Sequence, residues 1–218
     1  MKCRLLIVGG LTLLGVAGCN RADPSASPGE VAGASVATAQ PTVSGALRAE
    51  IDPTVTLRTS LGTIKVRLNS AKAPVTVDNF LAKVEAGFYD RTIFHQVDSG
   101  YVILAGGFQP DLAERKSRYS IPNESHNGLT NRRGTIAMAR SEGSVDSATG
   151  QFFVNLADNR HLDYQGDSAD GCGYCVFGEV VEGMDVVDRI AQSPTRSEGE
   201  FPRLPIETVL LESARKVR

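Results

Sequence analysis

The sequence contains no tryptophan, and no aromatic residue of any kind occurs before Phe80. Aromatic side chains supply much of the buried area of a small domain, so the first third of the chain is poorly equipped to form a core. Four cysteines among 218 residues are too few for a disulfide-built scaffold. The charges nearly balance, with 23 Lys plus Arg against 25 Asp plus Glu. This balance excludes a nucleic-acid-binding protein that works through bulk positive charge.

The N-terminal apolar run is too short to span a bilayer. It covers Leu5–Val16, which is 12 residues, and follows Lys2 and Arg4. A transmembrane helix needs roughly 20 apolar residues. A basic start followed by a short apolar run is typical of a signal peptide, and we predict that residues 1–18 are one.

The end of this segment, Val16-Ala17-Gly18-Cys19, resembles the bacterial lipobox. The resemblance implies that the Cys19 thiol carries lipid, that Cys19 is the new N-terminus, and that the lipid anchors the protein to a membrane. An ordinary signal peptide with a chance cysteine is the alternative. We expect a protein of the bacterial cell envelope that faces the periplasm. Asn20 after the cysteine favours the outer membrane, by analogy with enteric sorting rules.

Residues 19–53 are predicted to form a flexible linker. Of the 34 residues from Asn20 to Pro53, 21 are Ala, Ser, Pro, Gly or Thr, and none is aromatic. Such a segment cannot bury enough apolar surface to offset the entropy lost on ordering. As a coil it would span roughly 30–35 Å, which lets a domain move beside a membrane.

A folded domain is predicted over residues 54–218. Apolar residues alternate with polar ones over Val55–Leu68 around a turn at Leu61-Gly62, which predicts a β-hairpin with one buried face. Apolar residues at helical spacing over Val77–Val84 then predict a helix. Pro74 fits its first position and Gly87 fits the position after its last turn.

The rest of the domain consists mostly of short apolar runs bounded by Gly, Asp or Asn. A second helix is predicted to begin after Gly183. Many short strands with only two helices are typical of a closed antiparallel barrel with capping helices, and the fold class is therefore mainly β. The runs predicted as strands are 92–97, 101–104, 134–139, 151–155, 174–181 and 206–213.

Several stretches resemble the cyclophilin-type peptidyl-prolyl isomerases, most closely their bacterial branch. The resemblance extends from Thr54 to Arg218, in order and without large gaps. It implies a closed eight-stranded antiparallel barrel capped by two helices, in agreement with the strand pattern. The matching stretches are Phe94–Val97, Gly106–Phe108, Asn131–Arg140, Asp146–Asn155 and Gly173–Gly178.

The activity that this resemblance implies can be stated in physical terms. An X–Pro bond isomerises slowly because rotation removes amide resonance. In the twisted transition state the prolyl nitrogen regains a lone pair. A catalyst therefore needs an apolar slot for the proline ring, fixed points for the flanking backbone and a donor aimed at that nitrogen. We expect proline-containing polypeptides as partners, no cofactor, no metal and no nucleic acid, and we expect a monomer.

The resemblance also assigns the slot residue by residue. Phe153 matches its aromatic floor, and Leu162 matches its apolar wall. Tyr101 and Val102 stand where the family usually has Phe and Met. For Phe153, Leu162 and Val102, plain barrel core is the alternative. Gln151 matches a side chain that hydrogen-bonds the substrate backbone, and Ala139 and Arg140 occupy the backbone-pairing stretch. His161 stands at a position that is Trp or Phe in relatives. Tyr174 stands at a position that is often His.

Two departures bear on the rate. The family's catalytic arginine is Gln96 here, and the glutamine that orients it is Leu104. A neutral amide can donate, but it lacks the charged five-donor fork of arginine. We therefore predict an isomerase of reduced rate that assists the folding of envelope proteins. The alternative is a non-catalytic proline-peptide-binding or chaperone module on the same fold.

Three further residues are expected to be structural. His95 lies in the family's Phe-His pair, where a hydrogen-bonded structural residue is expected in preference to a base. Cys172 and Cys175 form a CxxC motif, which opens a helix in thioredoxin-like proteins but here enters a β run. One such motif supplies only two of the four ligands of a structural zinc site. Cys175 is expected to be buried in the strand that leads to Phe177. The sequence does not determine whether Cys172 and Cys175 form a disulfide.

Overall fold

The computed structural model describes residues 52–217. The predicted signal peptide and nearly all of the predicted linker, with Cys19, lie outside these residues. No helix in the described part is long and apolar enough to cross a membrane. Its elements are, in chain order, β1 (Thr54–Thr59), β2 (Gly62–Leu68), α1 (Pro74–Glu85), β3 (Thr92–Asp98), β4 (Val102–Ala105), β5 (Thr135–Met138), β6 (Phe152–Asn155), β7 (Val176–Glu182), α2 (Met184–Ala191), β8 (Thr195–Glu198), β9 (Phe201–Pro205) and β10 (Leu210–Lys216).

Eight of the strands close into an antiparallel barrel in the order β1-β10-β3-β4-β6-β5-β7-β2. This confirms the predicted barrel with two helices. Pro74 is the first residue of α1, and Gly87 follows its C-terminal end with a φ of +66°. Both positions agree with the sequence prediction, because proline suits the first helical turn and glycine suits a left-handed backbone.

The structure differs from the prediction near the C-terminus. The sequence predicts a strand over 206–213, but β10 runs from Leu210 to Lys216 and pairs with β1 along most of its length. Ile206 is half exposed, so it does not begin a buried strand. The hairpin of β8 and β9 is not predicted at all. Thr195–Glu198 contains no apolar residue, so hydrophobic periodicity carries no signal for it.

The barrel interior is packed by every second residue of its strands. Ile103 and Ala105 of β4 face inwards, as do Phe152 and Val154 of β6. Phe80 of α1 reaches over this core, and its ring lies 5.7 Å from that of Phe152. The helix therefore covers one side of the barrel core with the ring of Phe80.

A distant carboxylate caps α1. The residue before the helix, Ala73, offers no side-chain cap. Glu124 instead accepts hydrogen bonds from the backbone N–H of Val75 at 3.1 Å and from that of Thr76 at 2.8 Å. An anion at this end also interacts favourably with the helix dipole. The loop that carries Glu124 is thereby tied to the helix.

Candidate active site

A second apolar cluster lies on the outside of the barrel, separate from the barrel interior. It arises because side chains alternate along a strand, so the neighbours of inward-facing residues face outwards. We call this cluster the outer slot. Its buried members are Val102, Leu104, Ala137, Ala139, Phe153, Leu162 and Val176, and Tyr101, Leu129 and Tyr174 pack against them.

The centre of the outer slot is a row of residues that face one another across five neighbouring strands. Phe153 on β6 is in the middle of this row and is fully buried. The family resemblance assigns the floor of the proline slot to this residue. From β3 through β4, β6 and β5 to β7, the row reads Gln96, Leu104, Phe153, Ala137 and Val176.

Tyr101 and His161 stand together beside the slot, although they are 60 residues apart in the chain. Their rings stack at a centroid distance of 5.5 Å and an angle of 16°. The Tyr101 hydroxyl lies 3.2 Å from His161 Nε2. An aromatic pair with polar edges therefore stands at the two positions to which the family resemblance usually assigns Phe and a Trp or Phe.

Tyr174 forms another wall, and Arg140 supports it. The Tyr174 ring meets Phe153 edge to face at 5.6 Å, and the Arg140 guanidinium lies 4.9 Å from the centre of the Tyr174 ring. Burial raises the pKa of Tyr174. Arg140 is itself buried, and its guanidinium donates to the carbonyls of Gly173 and Ala169 at 2.9 and 3.0 Å. The side chain of Arg140 thus holds a loop and an aromatic wall in place.

The Gln151 side chain packs closely against Gly107. A Cβ atom on Gly107 would be only 2.4 Å from Gln151 Cδ, so any larger residue would displace this side chain. The backbone of Gln151 is also fixed, because its carbonyl accepts a hydrogen bond from Ala139 N–H at 2.9 Å. Ala139 is a buried member of the outer slot. Gln151 and the slot are therefore held in register.

His95 lies next to Gln96, at a bulge in β3. The His95 ring packs edge-on against Phe108 at 4.7 Å, and its Nδ1 has no hydrogen-bond partner among the described residues. Burial lowers the pKa of His95 to about 4. Interactions with the Ile93 backbone and the Gln151 side chain partly offset this lowering, and the aromatic packing is in line with the expected structural role.

The two cysteines of the CxxC motif are both buried, and neither forms a disulfide. Cys175 lies directly before β7, and its sulfur is 3.4 Å from the Thr76 hydroxyl. Burial raises the pKa of the Cys175 thiol to about 11. The described part of the chain contains no cluster of three or more metal-binding side chains.

Sequence reasoning missed a network of buried amides behind the slot. Asn159 donates to the carbonyl of Tyr101 at 3.0 Å and to Asn155 Oδ1 at 2.8 Å. Asn155 donates to Asn131 Oδ1 at 3.2 Å, and Asn131 donates to the carbonyl of Leu162 at 3.1 Å. The network therefore links the backbone of two slot loops. Single asparagines in loops or at the end of a strand carry no sequence signal that distinguishes them from solvent-exposed ones.

A cavity of about 430 Å³ lies next to the slot, where the outer face continues over β5, β7 and β2. Leu129 and Val176 belong to both the cavity lining and the slot. The other lining residues include Arg67 and Arg132. This cavity is outside the site that the sequence predicts.

The closed antiparallel barrel capped by two helices, with an aromatic-floored apolar slot on its outer face, places the chain among the mainly β barrel proteins. The chain belongs to the cyclophilin-type peptidyl-prolyl cis-trans isomerases. The family model described as "Cyclophilin type peptidyl-prolyl cis-trans isomerase/CLD" matches residues 54–213. This assignment confirms the family resemblance read from the sequence.

Bacterial relatives cover almost the whole domain. Over 159 residues the chain is 48% identical to peptidyl-prolyl cis-trans isomerase B of Escherichia coli (strain K12). This alignment covers 73% of this chain and 96% of the Escherichia coli protein. It is also 48% identical over 162 residues to peptidyl-prolyl cis-trans isomerase cyp18 of Streptomyces antibioticus, covering 74% and 97%.

Solved structures share the fold. A crystal structure of a Cryptosporidium parvum cyclophilin-type peptidyl-prolyl cis-trans isomerase superposes with a TM-score of 0.62 at 22% identity, covering 76% of this chain and 98% of that one. That protein has also been crystallised in the presence of the dipeptide Ala-Pro.

Proposed function

We propose that this protein isomerises X–Pro bonds in proteins of the bacterial cell envelope, at a lower rate than cyclophilins with an arginine on β3. The observation that carries this proposal is the row across the outer face. The row keeps the aromatic floor at Phe153 but begins with Gln96 and Leu104. Its apolar part suits a proline ring, and its donor end is weaker than that of the family.

The slot and the donor make separate contributions to the reaction. Burial of the proline ring against Phe153 and Leu162 holds the substrate, and it depends on shape and apolar area. Stabilisation of the prolyl nitrogen depends on a donor in the transition state. Gln96 offers a neutral amide and has the apolar Leu104 beside it. Loss of one well-placed transition-state donor costs ~10²–10³ in rate in other enzymes.

A protease-coupled assay on proline tetrapeptides tests this proposal, with the Escherichia coli relative as the reference enzyme. We expect a kcat/KM that is lower by about 10²–10³. Peptide affinity, measured separately by NMR titration, should stay within about tenfold, since the slot is intact. Equal kcat/KM values would contradict the reduced rate.

A non-catalytic proline-peptide-binding module is the second candidate. The same observation favours it, because both members of the arginine-glutamine pair are replaced, by Gln96 and Leu104. Peptide binding in the NMR titration without measurable catalysis would support this candidate over the isomerase.

The envelope location is proposed from the sequence before the domain. Val16-Ala17-Gly18-Cys19 supports lipidation at Cys19, and the composition of residues 20–53 supports a tether between the membrane and the domain. Clients would then be secreted or outer-membrane proteins. Cys19→Ser should move the protein from the membrane to the soluble envelope fraction without changing its thermal unfolding. Mass spectrometry that shows an unlipidated N-terminus elsewhere, for instance after Ala39, would contradict the anchor.

A further inference from the structure

The β8–β9 hairpin packs on the outer face of the barrel beside the slot. Phe201 and Leu204 of β9 form one apolar cluster with Ile93 of β3 and with Phe108. The rings of Phe108 and Phe201 meet edge to face at 4.9 Å. The hairpin is therefore fixed on β3, the strand that carries Gln96.

Asp98 lies at the edge of the outer slot, on the strand that the β8–β9 hairpin covers. It is the last residue of β3, and its partner on β4 is Val102, a buried member of the outer slot. Gln96 lies two residues earlier and faces Leu104. Because residues i and i+2 of a strand share one face, Asp98 lies on the same side as Gln96, about 7 Å along the strand.

Arg203 of β9 is held at this edge by Asp98. Its Nη1 donates a hydrogen bond to Asp98 Oδ1, and the two groups form an ion pair. The Asp98 side chain is 9% exposed, whereas that of Arg203 is 46% exposed. A guanidinium has five donors, and no other described residue takes a hydrogen bond from Arg203. A fixed guanidinium with donors to spare therefore stands beside the slot.

We propose that Arg203 is a client-binding residue that favours proline segments carrying a carboxylate close to the proline. This inference rests on the proposed function and names a substrate class for the same slot. A guanidinium and a carboxylate match each other in a two-bond geometry, and the contact is stronger than one between neutral groups. Asp98 holds the guanidinium in place, which reduces the entropy lost when a client binds.

The expected size of the preference is modest. Arg203 is half exposed and already shares one donor with Asp98. Ion pairs in such surroundings are partly screened by solvent. We expect a two- to fivefold preference for Glu over Gln at one position within two residues of the proline. The preference should shrink as salt is raised, because exposed charge pairs are screened.

The experiment uses the full mature chain and pairs of peptides that differ only by Glu or Gln at one position around the proline. Kd from NMR titration and, where turnover is measurable, KM and kcat are compared for the parent and for Arg203→Met. Arg203→Lys keeps the charge and should retain part of the preference. Arg196→Met is the matched control, since Arg196 lies on the same hairpin and pairs with Glu198.

The expected result is a preference in Kd and KM, with kcat little changed, that Arg203→Met removes and Arg196→Met leaves. Equal Glu and Gln affinities in the parent, or an unchanged preference in Arg203→Met, would overturn the inference and leave the proposed function standing. A folded parent that neither binds nor turns over any proline peptide would overturn both.

Discussion

Gln96 on β3 and Leu104 on β4 are direct cross-strand partners on the outer face of the barrel. The family resemblance assigns an arginine, and the glutamine that orients it, to these two positions. Both residues are nearly buried here, at 7% and 1% exposure. An arginine beside Leu104 would place a charge in a mostly buried site without a polar neighbour on β4, which is unfavourable. A charged side chain at position 96 would therefore lack a polar partner on β4 as long as Leu104 is present.

Restoring both residues should raise the rate as a unit. We expect Gln96→Arg with Leu104→Gln to increase kcat/KM by roughly 10 to 10³, because the charged donor and its orienting partner return together. Gln96→Arg alone should give little, so the gain is non-additive. The protease-coupled assay measures the rate, and thermal unfolding checks that each variant is folded. No gain in the double variant, with a parent already as fast as arginine-bearing relatives, would show that catalysis does not depend on this donor.

Phe153 can be tested as the floor of the proline slot, with the neighbouring Phe152 as the matched control. They are adjacent and fully buried, but Phe153 faces the slot and Phe152 the barrel interior. Phe153→Ala should abolish proline-peptide binding in NMR titrations, since it removes the floor.

Large-to-small aromatic changes cost about 3–5 kcal/mol of stability, so the milder pair Phe153→Leu and Phe152→Leu controls for unfolding. Only the change at Phe153 should weaken binding strongly. Equal losses of affinity in the two leucine variants would argue against the slot as the proline site.

The buried His95 should make stability depend on pH. Its pKa is lowered by burial from 6.5 to about 4, so the unfolded chain takes up a proton between these values while the folded protein does not. This uptake favours the unfolded state, and the free energy of unfolding should fall as the pH drops from about 7 to 4, by up to roughly 3 kcal/mol.

Urea unfolding at several pH values measures this dependence. His95→Gln cannot titrate at this position and should show a shallower slope. Identical slopes for the parent and His95→Gln would contradict a neutral, buried imidazole.

Cys172 and Cys175 should be dispensable for peptide binding. Both are buried and free, and the raised pKa of Cys175, about 11, leaves its thiol protonated at neutral pH. Replacing both by alanine should keep the peptide Kd within a few-fold of the parent. In the folded protein Cys175 should react slowly with thiol reagents at pH 8, and quickly after unfolding. A stoichiometric zinc signal that disappears in the double variant would contradict this structural role.

Hydrophobic alternation was sufficient for much of the barrel. The hairpin over residues 54–68 follows from it, since Leu57 and Ile64 are fully buried partners on β1 and β2. Pro74 and Gly87 similarly marked the ends of α1. These features are local, because the residues that determine them are within a few positions of one another.

The candidate site residues were assigned only through the family resemblance. Periodicity marks Phe153 and Leu104 as apolar strand residues, but it does not say whether they face the barrel interior or the outer slot. That distinction depends on how β4 and β6 pair. The family resemblance assigns Arg140 to the stretch that pairs with the substrate backbone, and only the structure shows its guanidinium packed on the Tyr174 ring.

The family resemblance identified Gln96 as standing at an arginine position, whereas the sequence by itself determined the strands that alternate and the two helices. Each of these elements depends on residue types that recur at short spacing in the chain. Only the tertiary structure decided that Gln96 adjoins Leu104, that the β8–β9 hairpin covers β3, and that Arg203 meets Asp98 across 105 residues of chain. Contacts of this kind arise when separate strands pack together, and no local pattern in the sequence encodes them.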